Sequence, residues 1–272
     1  MKQIVIFGAR GMLGRYVVNT LKNSSMNVIK ITRNIYNILD NDHEKLKNIL
    51  KPFENGILIN CAGAIPQRNT YKDQDFFVIN SLFPKTLESL SKSLNMKLLH
   101  ISTNCVFNGE TGNYDETSLP NAIDPYGLSK YLGEPSLSCI IRTSIIGEEE
   151  FTKKSFIEWV KSNKTKTIHG YTNCYWNGCT CLQLSKYIEN IIKNDLYWTG
   201  VKHVFSSETV SKYDLACIVN DVYDLNITII PKEHTMSKNM TLSSIYDDTI
   251  INKPIKRQII DMKMFEFNNV ND

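Results

Sequence analysis

Long apolar runs are missing from this 272-residue chain: no stretch is long enough to cross a membrane. Blocks of one charge sign are missing too. The formal net charge is +3, and no Lys/Arg cluster stands out. Neither a membrane nor a nucleic acid is therefore an expected partner. Internal repeats and low-complexity linkers are also absent. The seven cysteines are an odd number, scattered along the chain. Their one close cluster, CYWNGCTC, has no second pair or histidine set, which argues against a zinc site and for reduced thiols in the cytoplasm. The first residues, MKQIVIFGARG, run straight into a strand pattern with no signal peptide, which again fits a cytoplasmic chain. No acidic cluster suggests a metal. With 42% hydrophobic and 22% charged residues, the composition is that of a globular protein. The length suits one large domain or a core domain with a smaller companion.

What is present is a regular alternation. QIVIFG (3–8) reads as a strand, and MLGRYVVNTLKN (12–23) as a helix with Leu13, Val17 and Leu21 on one face. Strands follow at 27–33, 56–63, 97–103 and 139–147. Helices are expected at 42–51, capped by Asp42, over most of 75–94, and from 126. Strands alternating with helices predict an α/β fold, a Rossmann-type doubly wound parallel sheet with helices on both faces. Beyond about residue 150 the pattern loosens, and from Lys232 its periodicity is weak. The expected division is a Rossmann domain over 1–150, to which later segments return. Residues 151–272 mostly form a smaller C-terminal substrate-binding lobe.

At the first strand-to-helix junction, FGARGMLG places Gly8, Gly11 and Gly14 in G-x-x-G-x-x-G spacing. Glycines there let the backbone approach a pyrophosphate, and the following helix N-terminus supplies N–H groups and partial positive charge. The second strand ends ITRN, where an acidic residue would bond the ribose hydroxyls of NAD. The chain instead has Arg33, and the glycine loop carries Arg10. Two guanidinium groups suit a 2′-phosphate, so the expected cofactor is NADP(H).

DPYGLSKYLGE sets Tyr126 and Lys130 four residues apart, on one helix face. An ammonium beside a phenol lowers the phenol's pKa and makes it a usable general acid or base.

Taken together, FGARGMLG, INCAG (59–63), VINS (78–81), ISTNCVFNG (101–109), YGLSK (126–130) and IRTSIIGE (141–148) resemble the extended short-chain dehydrogenase/reductases, specifically the dTDP-4-dehydrorhamnose reductase type. GYTNCYWNGCTCLQLSKYI (170–188) and SKYDLA (211–216) extend the resemblance into the C-terminal half. The resemblance implies a Thr103–Tyr126–Lys130 triad. It also implies cofactor contacts from Met12 and Leu13 in the loop, from Asn60, Cys61, Ala62 and Gly63 along the ribose, and from Asn80. Arg142 to Ser144 would lie near the nicotinamide. The implied substrate is a UDP- or dTDP-linked 4-keto-6-deoxy sugar, reduced at C4 and destined for polysaccharide. A homodimer is left open.

One position departs from that type. Where dTDP-4-dehydrorhamnose reductases usually carry Thr-Asp-Tyr, this chain has Thr103-Asn104-Cys105. A cysteine there resembles the epimerase–reductases, such as GDP-fucose synthase and the plant and viral rhamnose synthases. In these a thiol exchanges a ring proton made acidic by the C4 ketone. The implied second acid is Lys153 or Lys154 in FTKKSFIEW, with His169 as the alternative. The pattern also resembles a surface-polysaccharide subgroup that makes sugars such as UDP-N-acetyl-L-rhamnosamine, and Trp176, Asn177 and Lys238 are candidate sugar contacts. Two alternatives stand beside this. One is a plain 4-ketoreductase with Cys105 as a packing residue. The other is a non-catalytic NADP-binding regulatory subunit of the same fold.

Overall fold

The computed structural model describes residues 3–68 and 70–267. The chain opens with β1 (Gln3–Phe7) and α1 (Met12–Asn23), then β2 (Asn27–Ile31), α2 (His43–Leu50) and β3 (Ile57–Asn60). Asp42 caps α2 by accepting the Lys45 amide at 2.9 Å, as its position predicts. The expected helix over 75–94 is one continuous unit of three parts: α3 (Asp73–Phe77), a π-helical segment Val78–Leu82, and α4 (Phe83–Ser93). Next come β4 (Lys97–Ile101), α5 (Pro125–Leu132) and β5 (Cys139–Arg142). Beyond them lie α6 (Phe156–Lys161), α7 (Cys181–Lys193), α8 (Lys212–Tyr223) and α9 (Ile255–Lys263).

The main sheet is six-stranded and wholly parallel, in the order Gly200–His203, β5, β4, β3, β1, β2. The chain therefore reverses direction across the sheet between β1 and β3, the switch point where ligands bind in such sheets. Alternate residues serve opposite faces. Ile4, Ile6, Ile57, Ile59, Leu99 and Ile141 join the core under α1, α7 and α9, whereas Val5, Phe7, Leu58 and Leu98 join the core under α2 and α4.

The segment Gly200–His203 carries the later half of the chain back onto the sheet edge beside β5. Helix α7 packs on α1, with Thr20 Oγ1 and Ser185 Oγ 2.8 Å apart. The smaller lobe is made of short strand pairs. Cys174–Trp176 lies between Val210–Ser211 and Lys238–Asn239, and Thr167–Tyr171 runs parallel to Thr228–Lys232. The weak pattern seen after Lys232 hides a real helix, α9. Its Ile255, Ile259 and Met262 are fully buried against the larger core, so this part of the sequence reading is corrected. Among the described residues, no helix is long and apolar enough to cross a membrane.

Candidate active site

A cleft of about 660 Å³ opens at the carboxyl ends of the strands. Its floor is the β1–α1 turn. Gly8 has φ +72°, and a Cβ there would sit 2.6 Å from the Ala62 amide nitrogen, so only glycine fits. A Cβ on Gly14 would meet the Gly8 carbonyl oxygen at 2.1 Å. Gly14 thus packs the loop against its helix and does not line the cleft. Helix α1 starts after Gly11 with no side-chain cap, so its first N–H groups remain available to an anion. Gly8, Arg10, Gly11, Met12 and Leu13 all face the cleft.

Beside this loop, Thr32, Arg33 and Asn34 bring the end of β2 to the cleft. Arg33 donates from Nη2 to the Tyr71 hydroxyl at 2.9 Å, which aims the guanidinium along the wall. Cys61, Ala62 and Gly63 line the opposite side. Asn60 and Asn80 are corrected: both are buried behind the wall. Asn60 Oδ1 accepts the Ala62 amide at 3.1 Å. Asn80 bonds the Ala64 amide at 2.9 Å and donates to the Ser129 hydroxyl at 3.1 Å. They shape the cofactor-side backbone without reaching into the cleft.

The reactive end is assembled from β4 and α5. Thr103 caps a short 3-10 turn, Asn104–Val106, and its hydroxyl accepts the Cys105 amide at 3.1 Å. The Cys105 thiol is 3.7 Å from Asn104 Oδ1, to which it donates. Gly127 lets α5 press against this turn, since a Cβ there would lie 2.3 Å from the Cys105 carbonyl oxygen. Thr103, Cys105, Tyr126 and Lys130 thereby line one cleft with the glycine loop.

Their electrostatics differ from the expectation drawn from spacing alone. Lys130 is only 4% exposed and donates from Nζ to the Ile101 carbonyl at 2.7 Å. Burial lowers its pKa to about 8, against the opposing pull of Glu134 and Cys61. Burial raises the Tyr126 phenol well above its ordinary value, Cys105 and Asp124 add to the rise, and a Thr103 hydrogen bond pulls it down. The Lys130 ammonium is engaged with the sheet backbone, and in the ligand-free protein burial is the largest influence on the phenol. Burial therefore favours the neutral form of the Tyr126 phenol. Burial also raises the Cys105 thiol, and Asp124 raises it further. Thr103, Lys212 and Lys238 pull it back.

Arg142 is also corrected. Its guanidinium is buried in a two-point pair with Glu134, Nε to Oε1 and Nη2 to Oε2 both at 2.7 Å, and Ser102 donates to the same carboxylate at 2.6 Å. It braces β5 against the end of α5 behind the cleft, while Thr143 and Ser144 do line it. Trp176 lines it as well and donates from Nε1 to the Ser144 hydroxyl at 2.8 Å. Asn177 is buried and holds the Leu242 backbone at 2.7 and 2.9 Å, so it is not a sugar contact in this arrangement.

Of the candidate second acids, Lys154 lines the cleft mouth. Its amide and that of Ser155 are held by the buried Glu149 carboxylate. Lys153 is exposed, at φ +49°, outside the cleft lining. His169 is corrected: it lies exposed on a lobe strand opposite Ile230, away from the cleft. Lys238 is exposed and does not line the cleft, although its charge reaches Cys105. Among the cleft residues that escape a reading by motif are Glu149 and Lys212. For Lys212 the available signal is a lysine directly after a helix-capping serine. Among the described residues, no group of three His, Cys, Asp or Glu side chains could hold a metal ion.

Comparison with known proteins places this geometry among relatives. The spore coat polysaccharide biosynthesis protein SpsK of Bacillus subtilis is 27% identical, over 85% of this chain and 82% of its own. Methionine adenosyltransferase 2 subunit beta of Danio rerio is 23% identical, over 82% of this chain and 75% of its own. The crystal structure of dTDP-4-dehydrorhamnose reductase from Yersinia enterocolitica superposes with a TM-score of 0.77 at 25% identity, covering 96% of this chain and 98% of that one. The family model described as RmlD substrate binding domain matches residues 1–239. With that match spanning both the glycine loop and the lobe, the chain belongs to the RmlD substrate binding domain family.

Proposed function

We propose that the protein is an NADPH-dependent reductase of a nucleotide-linked 4-keto-6-deoxy sugar, with C3 epimerisation through Cys105. The observation that carries this is one cleft lined by the glycine loop, Arg33, Thr103, Cys105, Tyr126 and Lys130. The glycine loop fits a dinucleotide because a Cβ at Gly8 would collide with the backbone at 2.6 Å while the N-terminus of α1 stays uncapped. Arg33 and Arg10 favour the 2′-phosphate form. NADPH, when bound, supplies the hydride. Tyr126 hydrogen-bonds the C4 carbonyl oxygen and gives its proton to the forming alkoxide, for which a neutral phenol is the right starting state. Thr103 orients the carbonyl, and Lys130 holds the ribose and supports the charge left on Tyr126.

In the epimerase step, the ketone acidifies C3–H and Cys105 removes that proton. Lys154 is the proposed acid that returns a proton to the other ring face. The similarity to a dTDP-4-dehydrorhamnose reductase structure supports the 4-keto sugar, and the similarity to SpsK supports a polysaccharide-building role. UDP- and dTDP-linked sugars, including precursors of rhamnose and UDP-N-acetyl-L-rhamnosamine, are the proposed substrates.

The test is incubation with a UDP-linked 4-keto-6-deoxy-L-hexosamine in D₂O, with and without NADPH, read by NMR. Deuterium at C3 without NADPH, lost in Cys105→Ser, is the expected result. Reduction without deuterium uptake would leave a plain 4-ketoreductase. A second reading, a non-catalytic NADP-binding subunit, draws on the similarity to methionine adenosyltransferase 2 subunit beta. It predicts cofactor binding with no turnover of any 4-keto sugar nucleotide. The presence of Thr103, Tyr126 and Lys130 together in the cleft favours the enzyme.

A further inference from the structure

Lys212 occupies a costly position. It is the first residue of α8, directly after the cap Ser211, where the helix dipole disfavours a cation. The nearby carboxylate of Asp214 is engaged by the Ser211 amide and hydroxyl at 3.0 and 2.6 Å. Among the described residues, Lys212 makes no ion pair and no hydrogen bond. Its ammonium instead sits 5.1 Å from the centre of the Phe156 ring and 5.9 Å from that of Trp176, on the cleft. The titratable groups that face it are the thiols of Cys105 and Cys174. Burial lowers its pKa, and both thiols oppose that shift. A cation held in a cleft against its own helix dipole, with no carboxylate partner, is stabilised by any negative charge that forms in that cleft.

We propose that Lys212 is the positioning residue that stabilises the Cys105 thiolate formed for proton exchange at C3 of the sugar. The inference rests on the epimerase reading above. In the step, the thiolate sulfur bonds the C3 proton, the C3–H bond breaks, and its electron pair moves onto the C4 oxygen as an enolate. A proton delivered from the opposite face returns the pair to a new C3–H bond, and the thiol gives its proton to solvent. The negative charge begins on sulfur and passes to the enolate within the field of Lys212. The other groups facing Cys105 are Asp124 and Tyr126 on α5 and Lys238 in the lobe. Asp124 opposes the thiolate, and the Thr103 hydroxyl and Lys238 assist it, so Lys212 is not the sole influence; of the two lysines that act on Cys105 it is the one on the cleft wall.

Two measurements on the full chain separate the possible failures. The first follows alkylation of Cys105 by iodoacetamide against pH, read by mass spectrometry of its peptide, and needs no sugar. Lys212→Met should raise the midpoint by about one pH unit, a roughly tenfold loss of thiolate at neutral pH, and Lys212→Arg should restore it. A midpoint unchanged in Lys212→Met overturns the inference. The second is C3 deuterium exchange against pH without NADPH, in which the same shift should appear. If Lys212→Met shifts the alkylation midpoint but the wild-type protein shows no exchange, the epimerase reading falls and the catalytic part of this inference falls with it. If the wild-type protein exchanges and Lys212→Met exchanges with the same pH profile, only the Lys212 inference falls.

Discussion

In the proposed reaction, Lys130 sets the upper pH limit. Its pKa of about 8 means the ammonium is present below that pH and is lost above it. The expected outcome is a kcat/KM for the reduction that is level below about pH 8 and falls about tenfold per unit above it. The Lys130→Met variant should be slow and lack that limb. Stability takes the opposite sign. The folded pKa lies below the ordinary 10.5, so between these values the unfolded chain binds more protons and stability rises with pH. Urea unfolding at pH 8 and pH 10 checks this slope, which Lys130→Met should flatten. The proposed reading gives Arg33 a comparably specific role. Arg33→Ala should weaken NADPH binding by about tenfold or more, the loss of one charge-assisted contact, and leave NADH binding nearly unchanged, as titration of cofactor fluorescence would show. These residue types were readable from the sequence, because Gly8, Tyr126, Lys130 and Arg33 stand at fixed offsets from strand ends. The pKa ordering was not readable. It depends on burial of Lys130 and on the Ile101 carbonyl that takes its ammonium, and neither follows from a four-residue spacing.

At the scale of elements, α5 carries Tyr126 and β5 braces it. The Glu134–Arg142 pair joins them, with both side chains at most 8% exposed. Removing one partner strands a buried charge, so Glu134→Ala should cost about 3–5 kcal/mol, measured by urea unfolding. A cost under about 1 kcal/mol, the range of surface pairs, would show that the pair is not a brace. IRT was legible as a strand end near the cofactor, but its arginine was read as a contact. Its true partner lies eight residues earlier, and only the packing of α5 on β5 reveals it. Helix α9 was missed for a related reason. Its Ile255, Ile259 and Met262 have helical spacing, but charged neighbours in PIKRQIIDMK dilute the pattern. Ile259→Ala should cost about 2–5 kcal/mol, because its side chain is fully buried in the larger core.

At the scale of the whole molecule, the parallel sheet places the glycine loop and the Thr103–Cys105 turn at the same edge, and the later half of the chain adds Trp176 and Lys212 to the same cleft. The sheet could be read from the sequence because strand and helix periods alternate cleanly in the first half. The lobe could not, since it is built from strand pairs of two to five residues whose partners lie far apart in sequence. The central claim is that this cleft moves hydride from NADPH to C4 of a sugar nucleotide, with Tyr126 as the acid. The most direct measurement uses NADPH deuterated at C4 of the nicotinamide, one face at a time, with a UDP- or dTDP-linked 4-keto-6-deoxy sugar, and NMR of the product. The account predicts deuterium at sugar C4 from one face only, and a Tyr126→Phe variant slowed about 10²–10⁴-fold with unchanged NADPH binding. Cofactor bound tightly with no deuterium reaching C4 across both nucleotide series, or a Tyr126→Phe variant as fast as the wild type, would contradict it.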